Sequence, residues 1–498
     1  MLMSVNYNDF LEKKEAKQIL LLKKLIISGG TMRFQEMVAY LNLSKASLET
    51  YITELIEYLK KYQDAITLDF DGEILAITLS HNFSLKQVEK DFYQDSLKYK
   101  IMTYLFSNPE FSTVALASNL KISESTLFRK IKELNSCLTE FDLMIWQGKL
   151  VGDEHQIRYF YFQLFWCIDH NFPEHKKLPT HPLVSLLEKK LFQSLSKESK
   201  TRLNLWVTIS QKRMGYRHKK FGKLPQLFQP YQNDPLYLTL RELVFRSLGH
   251  YALELEEEEA IMQFIFILSM SILSEEDFKE YNYERSHATP TAITDTLVLE
   301  CVLRYYRPIQ LTSELEAWTY YQLASNHPRL YFFKGDIEVS STSHFWQLEE
   351  SLSSHNIKRL STHLLTVARD RLLPKAAPIT GLDYLTELKY LCTLLLVDRQ
   401  ISRNIMVGID LNTTHLFKEA AFQMISVQLN SLNGVVCQEY CASQTYDLII
   451  TNEQSCRYQT HHYVLSELGT SFDIAQIKQY IRQIYHEKYA AVLTDIYL

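Results

Sequence analysis

Residues 113–134 read TVALASNLKISESTLFRKIKEL, and residues 34–55 read FQEMVAYLNLSKASLETYITEL. Laid together at an offset of 79, they agree in type at Leu41/Leu120, Leu43/Ile122, Ser44/Ser123, Ser47/Thr126, Leu48/Leu127, Ile52/Ile131, Glu54/Glu133 and Leu55/Leu134. Self-similarity at a fixed offset implies one supersecondary unit used twice. In each copy a helix (about 16–27, or 97–107) precedes a short amphipathic helix (33–41, or 113–120) and a tight polar turn. Ser44 or Ser123 then stands where an N-cap oxygen would accept the first free amide. The next helix carries one apolar stripe: Leu48, Ile52, Leu55, Ile56 and Leu59, or Leu127, Ile131, Leu134 and Leu138. Its opposite face is left free. This pattern predicts a helix-turn-helix.

A hairpin signal follows each copy. Residues 65–80 alternate around Asp71-Gly72, and residues 143–151 (LMIWQGKLV) turn at Gln147-Gly148. A helix-turn-helix with a trailing hairpin is a winged helix, so two are expected in tandem. A recognition helix reads base edges and phosphates through short polar and basic side chains near its N-terminus. The second copy places Ser125, Thr126, Arg129, Lys130 and Lys132 there, with Gln147 and Lys149 on the wing. The first places Lys45, Ser47, Thr50, Tyr51 and Thr53, with Glu49 among them. Arginine can fork onto guanine and lysine can neutralise phosphate, so the second copy is expected to dominate binding to double-stranded DNA.

The 498-residue chain has 46% hydrophobic and 22% charged residues, only 13 Gly and 12 Pro, and a formal net charge of −5. Wholesale disorder and fibrous classes are excluded, and a mainly α, multidomain chain is expected. Seven cysteines form no C-x-x-C pair and no zinc spacing, which points to buried thiols in a reducing, cytoplasmic setting. No signal peptide or membrane span is read. Residues 171–250 carry a net +10 and residues 251–300 a net −10. Such blocks are expected to face each other within a helical domain or across a dimer rather than bind nucleic acid. The run Glu256–Glu259 reads most simply as a solvated helix start, or else as a partner for the basic 197–223 segment.

Residues 153–398 read as amphipathic helices with proline or glycine only at joints. The last hundred residues change texture. Short apolar runs at 404–410, 434–438, 447–451 and 462–465 alternate with helices at 415–432 and 473–489, predicting a small parallel-sheet α/β domain.

The paired LSKASLETYITEL and ISESTLFRKIKEL segments, with KLVGDEHQIRYFYFQLFW after the second wing, resemble the Mga/RofA/AtxA group of Gram-positive virulence regulators. The resemblance implies two winged helix-turn-helix domains at 1–82 and 83–170. It also implies phosphotransferase-system regulation domains (PRDs) at 171–284 and 285–398, and at 399–498 a unit like the EIIB component of sugar phosphotransferase systems. It implies a transcription regulator, often an activator, that forms homodimers or higher oligomers and is tuned by histidine phosphorylation through the phosphocarrier protein. Trp206 stands near where the first such histidine would fall, and His218, His250 and His363 are the alternative acceptors, each also readable as an ordinary surface or packed residue. An EIIB enzyme needs a cysteine after its first strand. Residues 409–415 (IDLNTTH) have none, which reads as a docking module without transfer chemistry. No cofactor, metal site or catalytic motif is read. The rival readings are an RNA-binding antiterminator, which Phe34–Leu55 opposes by reading as helix, a phosphotransferase enzyme, and a scaffold using its helix-turn-helices for protein contacts.

Overall fold

The computed structural model describes residues 7–108, 110, 112–169, 180–193, 195–216, 219–248, 256–307, 310–337, 355–401, 405–429, 432, 434–454, 458, 460–467 and 469–493. His218, His250 and Cys456 lie outside them. The chain divides into two compact units, one of Met1–Thr294, Ala324–Leu352 and Ala368–Lys389, the other of Asp295–Leu323, Ser353–Val367 and Tyr390–Leu498.

The first unit opens with α1 (Lys13–Ile27), β1 (Thr31–Arg33), α2 (Phe34–Leu41), α3 (Lys45–Leu59), β2 (Ile66–Phe70) and β3 (Ile74–Leu79). The three strands form one antiparallel sheet in the order β1-β3-β2. Sequence reading anticipated the hairpin but not β1, whose three residues pair with Ile74–Ala76. The hairpin also closes one residue later than expected. Asp71 N donates to Ile74 O, so Gly72 (φ +102°) and Glu73 form the turn, while Asp71 Oδ1 accepts from both Glu73 N and Ile74 N at 2.9 and 2.7 Å.

Next come α4 (Leu85–Asp95), which the sequence reading did not separate, α5 (Leu97–Ser107), α6 (Thr113–Asn119), α7 (Glu124–Leu138), β4 (Met144–Trp146) and β5 (Lys149–Val151). The second wing turns where expected. Gln147 (φ +47°) and Gly148 (φ +75°) both have positive φ, as a two-residue type I′ turn requires.

The helix α8 (Glu154–Asp169) then runs into the interior. Tyr159, Phe160, Tyr161 and Phe162 are four consecutive buried aromatics, so α8 is covered all round rather than along one stripe. There follow α9 (Pro182–Leu191), α10 (Lys197–Met214), α11 (Leu224–Phe228), α12 (Pro235–Leu248), α13 (Glu257–Ser269) and α14 (Glu275–Glu284), of which α10 packs on α8 and α13 meets it through Phe162 and Phe266. Trp206 is fully buried and stacks on Phe266 at 4.3 Å between ring centroids.

The opposed charge blocks do meet here. Arg158 Nη1 and Nη2 bind both oxygens of Glu259 at 2.7 and 2.8 Å, and its Nε binds Glu154 at 2.8 Å. Arg213 binds both oxygens of Glu154 at 2.8 Å, and Lys219 reaches Glu259 at 2.9 Å and Glu256 at 2.8 Å. Glu259 is thus a buried ion-pair partner rather than part of a solvated helix start. For both Glu154 and Glu259, burial would raise the carboxyl pKa, but the neighbouring cations outweigh it and hold each below the usual range.

Farther along run α15 (Pro290–Tyr306), α16 (Ser313–Ala324), α17 (His327–Phe332), α18 (His355–Leu372) and α19 (Gly381–Gln400). The second unit ends in β6 (Ile405–Asp410), α20 (His415–Leu429), β7 (Val435–Glu439), β8 (Leu448–Thr451), β9 (His462–Val464) and α21 (Ser471–Leu493). The four strands are all parallel, in the order β7-β6-β8-β9. Val407, Ile409, Leu448 and Ile450 face Ile425, Leu429, Ile477 and Ile481 of the two helices to make the core. No described helix is long and apolar enough to cross a membrane.

Candidate nucleic-acid interface

The duplicated turn is built by the same backbone device in both copies. Asn42 (φ +50°) and Lys121 (φ +54°), 79 residues apart, each take the left-handed conformation. Leu43 N then reaches Val38 O at 3.3 Å, and Ile122 N reaches Ala117 O at 3.0 Å, closing the preceding helix. One residue after each closure comes the cap of the recognition helix. Ser44 Oγ accepts from Ser47 N, and Ser123 Oγ from Thr126 N, both at 3.2 Å. A lysine in the left-handed region gives no sequence signal, so this half of the turn was not legible.

The cap hydroxyls also engage neighbouring side chains. Ser125 Oγ and Thr126 Oγ1 each lie 2.9 Å from Ser123 Oγ, with Ser125 exposed and Thr126 half-buried. On α7 the buried stripe is Leu127, Lys130, Leu134 and Leu138. The outward face carries Ser125, Phe128, Arg129 and Lys132.

Lys130 departs from expectation. It is 6% exposed, with Nζ bonded to Glu12 and to Glu133 at 3.1 Å. Burial would lower its pKa, but those two carboxylates more than offset it and raise it. Lys130 therefore does not belong among the groove-reading side chains. Lys98 completes the joint, donating to the carbonyls of Asp9 (2.8 Å) and Leu11 (3.1 Å) and pairing with Glu133 at 3.1 Å. Together these residues tie the second helix-turn-helix to the start of the first.

Phe128, which the sequence reading passed over, is 58% exposed beside Arg129. On the wing, Trp146 is equally exposed at 58%, and Met144 is exposed too. Gln147 is exposed at the tip. Lys149 is exposed and pairs with Glu110 at 2.9 Å, a solvent-facing pair that is weak and easily exchanged for a phosphate. The available signal was periodicity: position 128 falls outside the 127/131/134/138 stripe.

The first copy presents a different face. Lys45 and Thr50 are exposed, and Ser47 and Tyr51 are half-buried. Ser47 Oγ lies 2.8 Å from Ser44 Oγ, and Thr50 Oγ1 donates to Ala46 O at 2.9 Å, so these hydroxyls are already satisfied within the helix. At the offset of 79, Phe128 corresponds to Glu49 and Arg129 to Thr50. The exposed Glu49 of α3 sets negative charge at the position that Phe128 holds in the second copy. Of the remaining acceptor candidates, His363 sits exposed on α18.

Residues 81–165, which hold α4 to α7 and most of α8, match the Mga helix-turn-helix domain. The resemblance to the Mga group read from the sequence is therefore shown. The chain is also 22% identical over 217 residues to a candidate trans-acting regulator of Streptococcus pneumoniae, a match covering 42% of this chain and 43% of the relative. It is 25% identical over 227 residues to the capsule synthesis positive regulator AcpB of Bacillus anthracis, covering 44% of this chain and 45% of that protein. Each match thus spans under half the length of the curated relative.

Proposed function

We propose that the chain is a sequence-specific DNA-binding transcription regulator that grips promoter DNA chiefly through α7 and the second wing. The observation that carries this reading is the outward face of α7. Arg129 and Lys132 stand exposed on a capped helix, beside Ser125, within the segment that matches the Mga helix-turn-helix domain. In this reading Arg129 reads a guanine edge, Lys132 and Lys149 neutralise phosphates, and the first helix-turn-helix assists through Lys45. A mobility-shift titration tests it. Arg129→Ala should weaken promoter binding and flatten its salt dependence by about one unit of log–log slope for the cation removed. Unchanged affinity and slope would overturn the assignment.

The relatives' names support a regulatory role, trans-acting for one and positive regulation of capsule synthesis for the other. Activation of virulence or surface-protein genes in response to sugar phosphotransferase status follows from the Mga resemblance. In that reading the helical bundles act as PRDs that meet the phosphocarrier protein, and the terminal domain acts as an EIIB-like docking module. A homodimer is supported by α20, where Leu416, Phe417, Met424 and Val427 lie exposed together with Phe472 at the start of α21. Water-facing apolar side chains at helical spacing mark an association surface.

A further inference from the structure

We propose that the first compact unit holds a binding site for a small phosphorylated polyol. The site is a cleft of about 270 Å³ where the N-terminus of α10 and the C-terminal end of α13 come together with Arg329 of α17 and Lys389 of α19. Three cations line it, Arg202, Arg329 and Lys389, against Glu198 in the lining and Asp336 behind Arg329. The cleft therefore favours an anion, and the positive end of an 18-residue helix adds to that preference.

Two donors in the wall lack protein acceptors. Ser269 is 2% exposed and its Oγ has no hydrogen-bond partner among the described residues, and the same holds for the buried Nε of Arg202. Unmet buried polar atoms are rare because desolvating them is costly, so a pair of them on one cleft calls for a ligand. The rest of the Arg202 fork is fixed. Nη1 donates to Met270 O at 2.9 Å, Nη2 binds Glu198 at 2.6 Å, and the guanidinium lies 4.9 Å from the centroid of the Trp166 ring. Arg329 is held by Asp336 and donates through Nε to Tyr159 Oη at 3.0 Å. Cations locked in this way form a preorganised phosphate seat. Ser196, Ser199 and Ser271 also line the cleft, and their hydroxyls suit the hydroxyls of a polyol. The volume admits a phosphate ester of glycerol to hexose size.

Calorimetric titration of the full chain in phosphate-free buffer tests this. The probes are glycerol 3-phosphate, glucose 6-phosphate and inorganic phosphate, with glycerol and glucose as uncharged controls. Saturable binding is expected for at least one ester, tighter than for inorganic phosphate and absent for both controls. Arg202→Gln and Ser269→Ala should each weaken it about tenfold or more, whereas Lys212→Gln, exposed on the same helix, should not. If Arg202→Gln loses its helical circular dichroism, Ser269→Ala and Lys389→Gln decide the matter. No saturable binding, or binding indifferent to these substitutions, overturns the site. Inorganic phosphate binding as tightly as either ester overturns the polyol assignment.

Discussion

Glu259→Gln should destabilise the first unit more than Arg158→Met, although both break the same buried pair. Arg158 is fully buried and Glu259 is 1% exposed, so neither leaves its partner to water. The cluster holds three cations (Arg158, Arg213 and Lys219) and two buried carboxylates (Glu154 and Glu259), with the half-exposed Glu256 beside Lys219 at its edge. Arg158→Met leaves two of each, with Glu154 still bound twice by Arg213 and Glu259 still bound by Lys219. Glu259→Gln leaves the buried Arg158 and Arg213 to share Glu154, and Lys219 with Glu256 at the exposed edge. Breaking a buried pair from one side costs ~3–5 kcal/mol, so Arg158→Met belongs at the lower end and Glu259→Gln at the upper. For a unit this large, at ~2 °C per kcal/mol, the melting temperature should fall by roughly 6–10 °C. Trp166 and Trp206 lie on α8 and α10, the helices that carry Arg158 and Arg213, and report the unfolding of the unit by fluorescence. The wild type should also lose stability in acid. Both carboxyls are held below their unfolded value near 4.3, so their contribution is complete above it and drains away as pH falls through the folded values. Equal melting temperatures for Glu259→Gln and wild type, or the reverse order of the two variants, would refute this account.

Lys130→Met should lower thermal stability while leaving the salt slope of DNA binding at the wild-type value, because its Nζ is spent on Glu12 and Glu133; a slope reduced as in Arg129→Ala would return it to the interface. Phe128→Ala should change which operator sequences are preferred, by about 1–3 kcal/mol at a contacted thymine, with an unchanged salt slope, and binding-site selection would reveal it. His155 is buried, and that burial lowers its pKa to about 4. Its neutral form stabilises the fold fully above pH ~6.5, and up to roughly 3 kcal/mol is lost between there and pH 4. Denaturation of His155→Phe across that range should be flatter than wild type by that amount. Leu416→Glu combined with Val427→Glu should convert a dimer to monomers in sedimentation, and an unchanged species would remove α20 from the interface.

The sequence carried those parts of the fold that local periodicity and capping determine. Ser44 and Ser123 cap as read, the stripes through Leu48 and Leu127 are buried except for the half-buried Ile56 and Ile131, and the terminal runs at 405–410 and 448–451 pair as parallel strands. What escaped depends on partners distant in the chain. Lys130 looks like a phosphate contact because Glu12 lies 118 residues upstream. Glu259 looks solvated because its partner Arg158 lies 101 residues before it. The strand β1 has only three residues, too few to show alternation, and exists because β3 offers it an edge. Phe128 was overlooked for a different reason. An apolar residue in a helix is read as core unless the stripe is tracked position by position.

The charged joint among Glu12, Lys98, Lys130 and Glu133 has a geometric consequence. It ties the two helix-turn-helices together through side chains rather than through their linker alone, so the pair behaves as a caliper with a set gap. Such a tool measures as well as grips. If both helix-turn-helices contact DNA as proposed, then on a duplex that turns once every ~10 base pairs the distance and helical phase between their contacts become part of the address.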